Sequence, residues 1–235
     1  IVDRAGVDLI LVGDSLAMVA LGHRTTHAVT MEEMLHHTRA VTRGVSTAMV
    51  VADLPFMSYQ VDVTQAITNA GRFVKEAQAH AVKLEGATRP NLEIIERLTG
   101  MGIPVMGHLG YTPKAIHGLG GARVQGRSAD EAVKLIDDAR ALEMAGCFSV
   151  VLEMVPTAVA KLVTEKLTIP SIGIGAGNVC DGQILVTDDM LGKFTDFVPR
   201  FVIPYADLSQ VCEEAIAGYA RDVKSGNFPN ASESF

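Results

Sequence analysis

Short apolar runs recur along this chain, and their ends constrain its fold more than any other feature. Leu9–Val12, Ala48–Ala52, Ala81–Leu84, Ile103–Met106, Ser149–Leu152 and Ser171–Ile174 are each cut off by Gly, Pro or an acid. Runs of this length, with little polar alternation, read as parallel strands buried on both faces. Helical patterns lie between them. Thr30-Met-Glu-Glu33 and Ser128-Ala-Asp-Glu131 are capping boxes, Asp62 opens another helix, and Pro90 sits at an allowed first-turn position. Helices are expected over about 30–43, 62–78, 90–100, 128–145, 157–166 and 207–224. A seventh short strand fits Asp196–Val198.

This alternation predicts an α/β fold. Seven strands are visible, and one more upstream would make eight. The expectation is therefore a (β/α)8 TIM-type barrel whose first strand is missing from this chain. Residues 1–235 would form one N-terminally incomplete barrel domain. The opening Ile1–Gly6 fits that view, since it reads as the last turns of a helix closing on Gly6. A doubly wound open sheet is the alternative.

Hydrophobic residues make up 48% of the 235, enough for one large core. Twenty basic against 27 acidic residues give a net charge of −7, with no basic block. That argues against nucleic acid and anionic membrane as partners. No apolar stretch is long enough to span a bilayer. The three cysteines, Cys147, Cys180 and Cys212, are scattered without zinc or disulfide spacing, which suits a reducing cytoplasm.

Three of the runs end in acids: Asp14 after Gly13, Asp53, and Glu85. The last residue of a parallel strand lies at the carboxyl edge of the sheet, where α/β enzymes place their chemistry. Three carboxylates on one rim repel each other unless a cation lies between them. Hard oxygen donors without nearby Cys or His favour Mg²⁺ over zinc. Each acid alone could equally be a helix N-cap; the three together, with Lys83 one pleat from Glu85, favour a site. His108 also reaches the rim, between Gly107 and Gly110, and reads either as a ligand-contacting residue or as a core histidine satisfied by a carbonyl. Glu153 ends the fifth strand.

Other features are weaker. His23 and His27 stand four apart, but Gly22 and Thr25-Thr26 place them in a loop rather than on a metal-binding helix. His36 and His37 are adjacent and cannot face one ion from a helix. The stretch 111–127, with four glycines, is too long for a simple connector and reads as a lid or binding loop. Gly173, Gly175 and Gly177 lack dinucleotide spacing and read as tight-turn chemistry with room for a flat ligand.

The segments LVGDSLAM, ADLPFMSY, VKLEG, PVMGHLGYTP, VQGR, LEMVP and IGIGAGNVCDGQILV, in this order, resemble the ketopantoate hydroxymethyltransferase (3-methyl-2-oxobutanoate hydroxymethyltransferase) family. The resemblance spans nearly the whole chain. The family's N-terminal Thr-Ala-Tyr-Asp strand has no counterpart here. The resemblance implies transfer of a hydroxymethyl group from 5,10-methylenetetrahydrofolate to 3-methyl-2-oxobutanoate, giving 2-dehydropantoate in pantothenate synthesis. It implies a Mg²⁺ site at Asp14, Asp53 and Glu85. It assigns the keto acid to Asp14, Ser15, Asp53 and Lys83, a substrate-pocket role to His108, and the proton acceptor to Glu153. It also implies a homodecamer, a pentamer of dimers. It marks no folate-contacting residues.

The chemistry agrees with that assignment. An α-keto acid can chelate Mg²⁺, which would stabilise the enolate left when the neighbouring C–H loses its proton. Two rival readings are a Mg²⁺-dependent lyase or mutase of the phosphoenolpyruvate mutase/isocitrate lyase type, and an inactive truncated barrel. The first places a reactive Cys in a mobile loop, and 111–127 has none.

Overall fold

The computed structural model describes residues 1–193 and 198–235. They fall into two compact units, 1–184 and 185–235. In the first unit seven parallel strands pair in chain order, β1 to β7. They are β1 Leu9–Val12, β2 Met49–Asp53, β3 Ala81–Lys83, β4 Val105–Gly110, β5 Ser149–Glu153, β6 Ser171–Ile174 and β7 Gly182–Gln183. The helices of this unit are α1 Leu16–Val19, α2 Met31–Gly44, α3 Val63–Ala77, α4 Arg89–Gly100, α5 Ala129–Met144 and α6 Thr157–Lys166. The barrel-type β/α alternation expected from the sequence is the observed architecture.

The helices start where their side chains satisfy free backbone donors. Thr30 and Ser128 form full capping boxes with Glu33 and Glu131, and Asp62 accepts from the Gln65 amide at 2.7 Å. Each helix then buries one stripe. α3 buries Ala66, Ala70, Phe73 and Ala77; α4 buries Asn91, Ile94, Ile95 and Leu98. These are the three- and four-residue steps of one helix face. They pack on the strand residues that point the same way, Val50, Ala52, Val82, Val105, Val150 and Leu152. Each fully buried aliphatic or aromatic side chain contributes roughly 1.5–3 kcal/mol.

The alternate strand residues point away from the helices. Val51, Ala81, Met106 and Val151 form a second, smaller apolar cluster, with Leu9, Leu11, Ile172 and Ile174 against it. Side chains repeat every two residues along a strand. The next residues on this face towards the strand ends are therefore Asp53 after Val51, Lys83 and then Glu85 after Ala81, His108 after Met106, and Glu153 after Val151. A single parity places an apolar layer below and a charged layer above it.

Several strand ends shift by one residue, and three larger differences from expectation stand out. β4 begins at Val105 instead of Ile103, because Pro104 has no N–H for the ladder, and it runs on through His108 to Gly110. Within 16–28, expected as loop, lie the one-turn α1 and a 3-10 turn, Thr26–Ala28. β7 was not anticipated; it is two residues long, too short for any apolar run to mark it. The strand expected at Asp196–Val198 falls, at 196 and 197, outside the described residues.

The second unit contains α7 Thr187–Met190 and α8 Leu208–Ser225. Asp207 caps α8 through the Gln210 amide at 3.1 Å, and Gly226 ends it in the left-handed conformation. No residue of α8 is buried. Among the described residues, no helix is long and apolar enough to cross a membrane.

Candidate active site

The acids expected at strand ends do converge. Asp53 closes β2, Glu85 lies two residues beyond the end of β3, and Asp14 sits in the turn between β1 and α1, where its own amide donates to Asp53 Oδ2 at 3.3 Å. One oxygen from each of the three lies within 4.8 Å of the others, and all three residues are buried. Surrounding groups hold Glu85 in place. Its amide donates to the Tyr59 hydroxyl at 3.3 Å, and its carbonyl accepts from Asn91 Nδ2 at 2.7 Å.

Two ammonium groups balance these charges. Lys83 Nζ lies 3.0 Å from Asp53 Oδ2 and 3.7 Å from Glu85 Oε1. Lys114 Nζ touches all three acids, at 3.0 Å from Asp14 Oδ2, 3.0 Å from Asp53 Oδ1 and 2.8 Å from Glu85 Oε1. The Lys114 amide also donates to Glu85 Oε2 at 3.1 Å, and its carbonyl meets His27 Nε2 at 2.9 Å. Lys114, which contacts all three acids, was not picked out from the sequence. It lies in the 111–127 loop, within a 3-10 turn, Pro113–Ala115, and no periodicity reveals where a loop side chain points. Nothing in the sequence around it separates a buried lysine from a solvated one.

Burial and charge split the acids. Burial raises Asp14 to about 6, with Lys114 opposing and Asp53 and Glu85 adding to the rise. Burial acts on Asp53 too, but Lys114 and Lys83 outweigh it and hold that carboxyl at about 2. For Glu85, burial is again outweighed, by Lys114, Lys83 and His108, and its pKa falls below the usual value. Burial pushes the Tyr59 phenol upward, so it remains protonated.

His108 joins this cluster to Glu153. Its Nδ1 lies 3.3 Å from Lys83 Nζ, and its Nε2 3.2 Å from Glu153 Oε2. An ammonium can only donate, so Nδ1 must accept and the ring hydrogen sits on Nε2, facing the carboxylate. Nε2 and Glu153 are within reach but not aligned as a hydrogen bond. Glu153 ends β5 and is paired in register with Gly110. Its side chain is 16% exposed, more open than the three buried acids. Ser15 opens α1, half-buried beside Asp14.

The donor set fits a hard divalent cation. It offers three carboxylates and no sulfur or imidazole ligand. Asp14 Oδ2 is buried and, although 3.0 Å from Lys114 Nζ, lacks any hydrogen bond. A buried carboxylate oxygen that has charge compensation but no hydrogen bond keeps capacity for a further ligand. A cavity of about 700 Å³ borders the same site, lined in part by Phe56, Tyr59, Glu85, Lys114, Leu119 and Gln125.

The ketopantoate hydroxymethyltransferase family model matches residues 1–231. A 3-methyl-2-oxobutanoate hydroxymethyltransferase of Syntrophus aciditrophicus is 54% identical over 235 residues, all of this chain and 86% of that protein. One from Nitratidesulfovibrio vulgaris is 57% identical, again over the whole chain, and 76% of its own length is covered. Solved structures show a broader likeness. 2,3-Dimethylmalate lyase, a PEP mutase/isocitrate lyase superfamily member, has a TM-score of 0.58 at 12% identity, over 99% of this chain and 81% of that one. Phosphonopyruvate hydrolase has a TM-score of 0.58 at 13% identity, over 100% and 81%. At such identities the shared property is the fold.

Proposed function

The chain belongs to the ketopantoate hydroxymethyltransferase family, and we propose that it moves a hydroxymethyl group from 5,10-methylenetetrahydrofolate to 3-methyl-2-oxobutanoate. The product is 2-dehydropantoate, on the route to pantothenate and coenzyme A. The observation that supports this most strongly is the shared layer of Asp53, Lys83, Glu85, His108 and Glu153 at the carboxyl ends of β2 to β5.

The difficult step is removal of the C3 proton, because a C–H beside a ketone is far too weak an acid in water. We assign Asp14, Asp53 and Glu85 as the residues that would hold Mg²⁺. When bound there, the ion would supply positive charge to the ketone and carboxylate oxygens of the keto acid. Lys83 faces the same oxygens and adds a second positive charge at the point where negative charge develops. Ser15 and Asp14 flank the carboxylate end of the substrate. Glu153 takes the proton. His108, held by Lys83 on one side, lies with its Nε2 3.2 Å from the Glu153 carboxylate, close enough to orient it once substrate is bound. The carbanion carbon then attacks the methylene carbon as one of its two C–N bonds breaks and that nitrogen takes up the abstracted proton. Water then displaces the second nitrogen, leaving its hydroxyl on the new carbon and a proton on the nitrogen, and tetrahydrofolate departs.

The test separates proton removal from transfer. The wild-type chain should exchange the C3 hydrogen of 3-methyl-2-oxobutanoate for solvent deuterium when Mg²⁺ is present. Glu153→Gln should slow that exchange at least about a hundredfold, the usual scale for a general base, while substrate binding stays within a few-fold. Exchange at the wild-type rate in the variant would remove Glu153 as the base. The lyase and mutase reading draws support from fold likeness alone; cleavage of 2,3-dimethylmalate without hydroxymethyl transfer would favour it.

We further propose a homodecamer acting in the cytoplasm, with 1–235 as one barrel domain. The solvent-facing Val211, Ile216 and Tyr219 of α8 support association of copies. A light-scattering mass near that of one 25.0 kDa chain would exclude it.

A further inference from the structure

We propose that Lys114 is the resident cation of the metal site: its ammonium holds Asp14, Asp53 and Glu85 together until a divalent ion replaces it, and that exchange releases the 111–127 loop. This inference rests on the metal assignment above. Its basis is the position of Nζ, 2.8–3.0 Å from one oxygen of each of the three acids. An ion bound by those oxygens must occupy much the same point, because oxygen-to-Mg²⁺ distances are about 2.0–2.1 Å. Two cations cannot share it.

Charge gives the same answer. Three carboxylates already face two ammonium groups, those of Lys83 and Lys114, inside a buried cluster. Adding a divalent ion without losing one ammonium would leave at least one excess positive charge where water does not screen it. Lys83 is fixed on β3, between Asp53 and His108. Lys114 is on a loop, and its side chain is the one that can leave.

Departure has a route and a consequence. The cavity of about 700 Å³ is lined by both Glu85 and Lys114, so the displaced ammonium can swing into a space open to solvent. The Lys114 amide is tied to Glu85 and its carbonyl to His27. When Glu85 turns its oxygens to an ion, the amide loses its acceptor, and the turn at Pro113–Ala115 is freed with it. Metal loading and loop position are then one equilibrium, in which Lys114 opposes the metal and stabilises the metal-free protein.

The experiment uses the whole chain and Mn²⁺ as the probe. Free Mn²⁺ is measured by electron paramagnetic resonance in titrations of the wild type, Lys114→Gln and Lys114→Met, and loop amide exchange is followed with and without Mn²⁺. The expected result is at least about tenfold tighter Mn²⁺ binding by Lys114→Gln than by the wild type, within the usual range for coupled equilibria. In the wild type, Mn²⁺ should speed hydrogen exchange at residues 112–119. That measurement needs no variant and stands even if both substitutions impair folding. Equal affinities, or a wild-type loop whose exchange Mn²⁺ leaves unchanged, would overturn the role of Lys114 and leave the metal site intact. Failure of folded wild type and folded variants alike to bind Mn²⁺ would overturn the metal assignment itself.

Discussion

Asp14, like Glu85, lies two residues beyond the end of its strand. It hangs from the turn after Gly13, and burial together with its two acidic neighbours raises its carboxyl to about 6. Asp53, held at about 2, and Glu85, held below its usual value, stay ionised over the range where Asp14 titrates. A metal takes the ionised carboxylate, and that form is populated above the pKa. Divalent-ion affinity should therefore be steady above about pH 6 and fall about tenfold for each pH unit below it, the slope of one proton. Isothermal titration with Mg²⁺ between pH 5 and 7.5 measures this. Asp14→Asn should bind more weakly with a flat profile, and a flat wild-type profile would show that Asp14 is not a ligand. At this scale the sequence was informative where a residue closes a strand. Asp53, Lys83, Glu85 and Glu153 could be picked out because the end of an apolar run fixes their place on the rim. Lys114 could not, because its burial depends on a turn that folds back onto Glu85 from 29 residues further along the chain.

Strand parity is what turns those positions into a site. β2 to β5 each place an apolar residue and then a polar or charged one on the face turned from the helices; the register sets Asp53 opposite Lys83 and then staggers, with Lys83 opposite Met106, His108 opposite Val151 and Gly110 opposite Glu153. The backbone at Gly110 has a φ of +89°, and a Cβ there would collide with the Glu153 carbonyl and press on Val155 at 2.7 Å. Gly110→Ala should lower stability by about 2–4 kcal/mol in urea unfolding, from strain and overlap together, and should displace Glu153. Gly71, within α3, has nothing within 4 Å of its missing Cβ. Gly71→Ala should instead stabilise by about 0.5–1 kcal/mol. If both substitutions shifted the midpoint equally, the close packing of β4 on β5 would be wrong. Helix starts were legible because caps are short, local and chemically specific. Strand starts were less so: Pro104 delays β4, and β7 pairs through Ile172–Gly182 with no apolar run of its own.

For the molecule as a whole, fold and family answer different questions. The likeness to 2,3-dimethylmalate lyase and phosphonopyruvate hydrolase extends over nearly the whole chain at 12–13% identity, and it shows the fold without choosing a reaction. The choice comes from the 54–57% identity to 3-methyl-2-oxobutanoate hydroxymethyltransferases, together with the arrangement of acids, lysines and His108. Strand–helix alternation was enough to recognise the barrel type, because buried parallel strands need apolar runs and crossover helices need caps. The proposed mechanism requires Asp14, Asp53 and Glu85 to bind jointly the cation that acidifies the substrate C–H. Its most direct test is a crystal grown with Mn²⁺ and 3-methyl-2-oxobutanoate, with data collected for the anomalous signal of manganese. That mechanism requires one strong peak bounded by the three acids, with the keto acid beside it and Lys114 withdrawn. A peak elsewhere, with the acids still closed around Lys114, would contradict it.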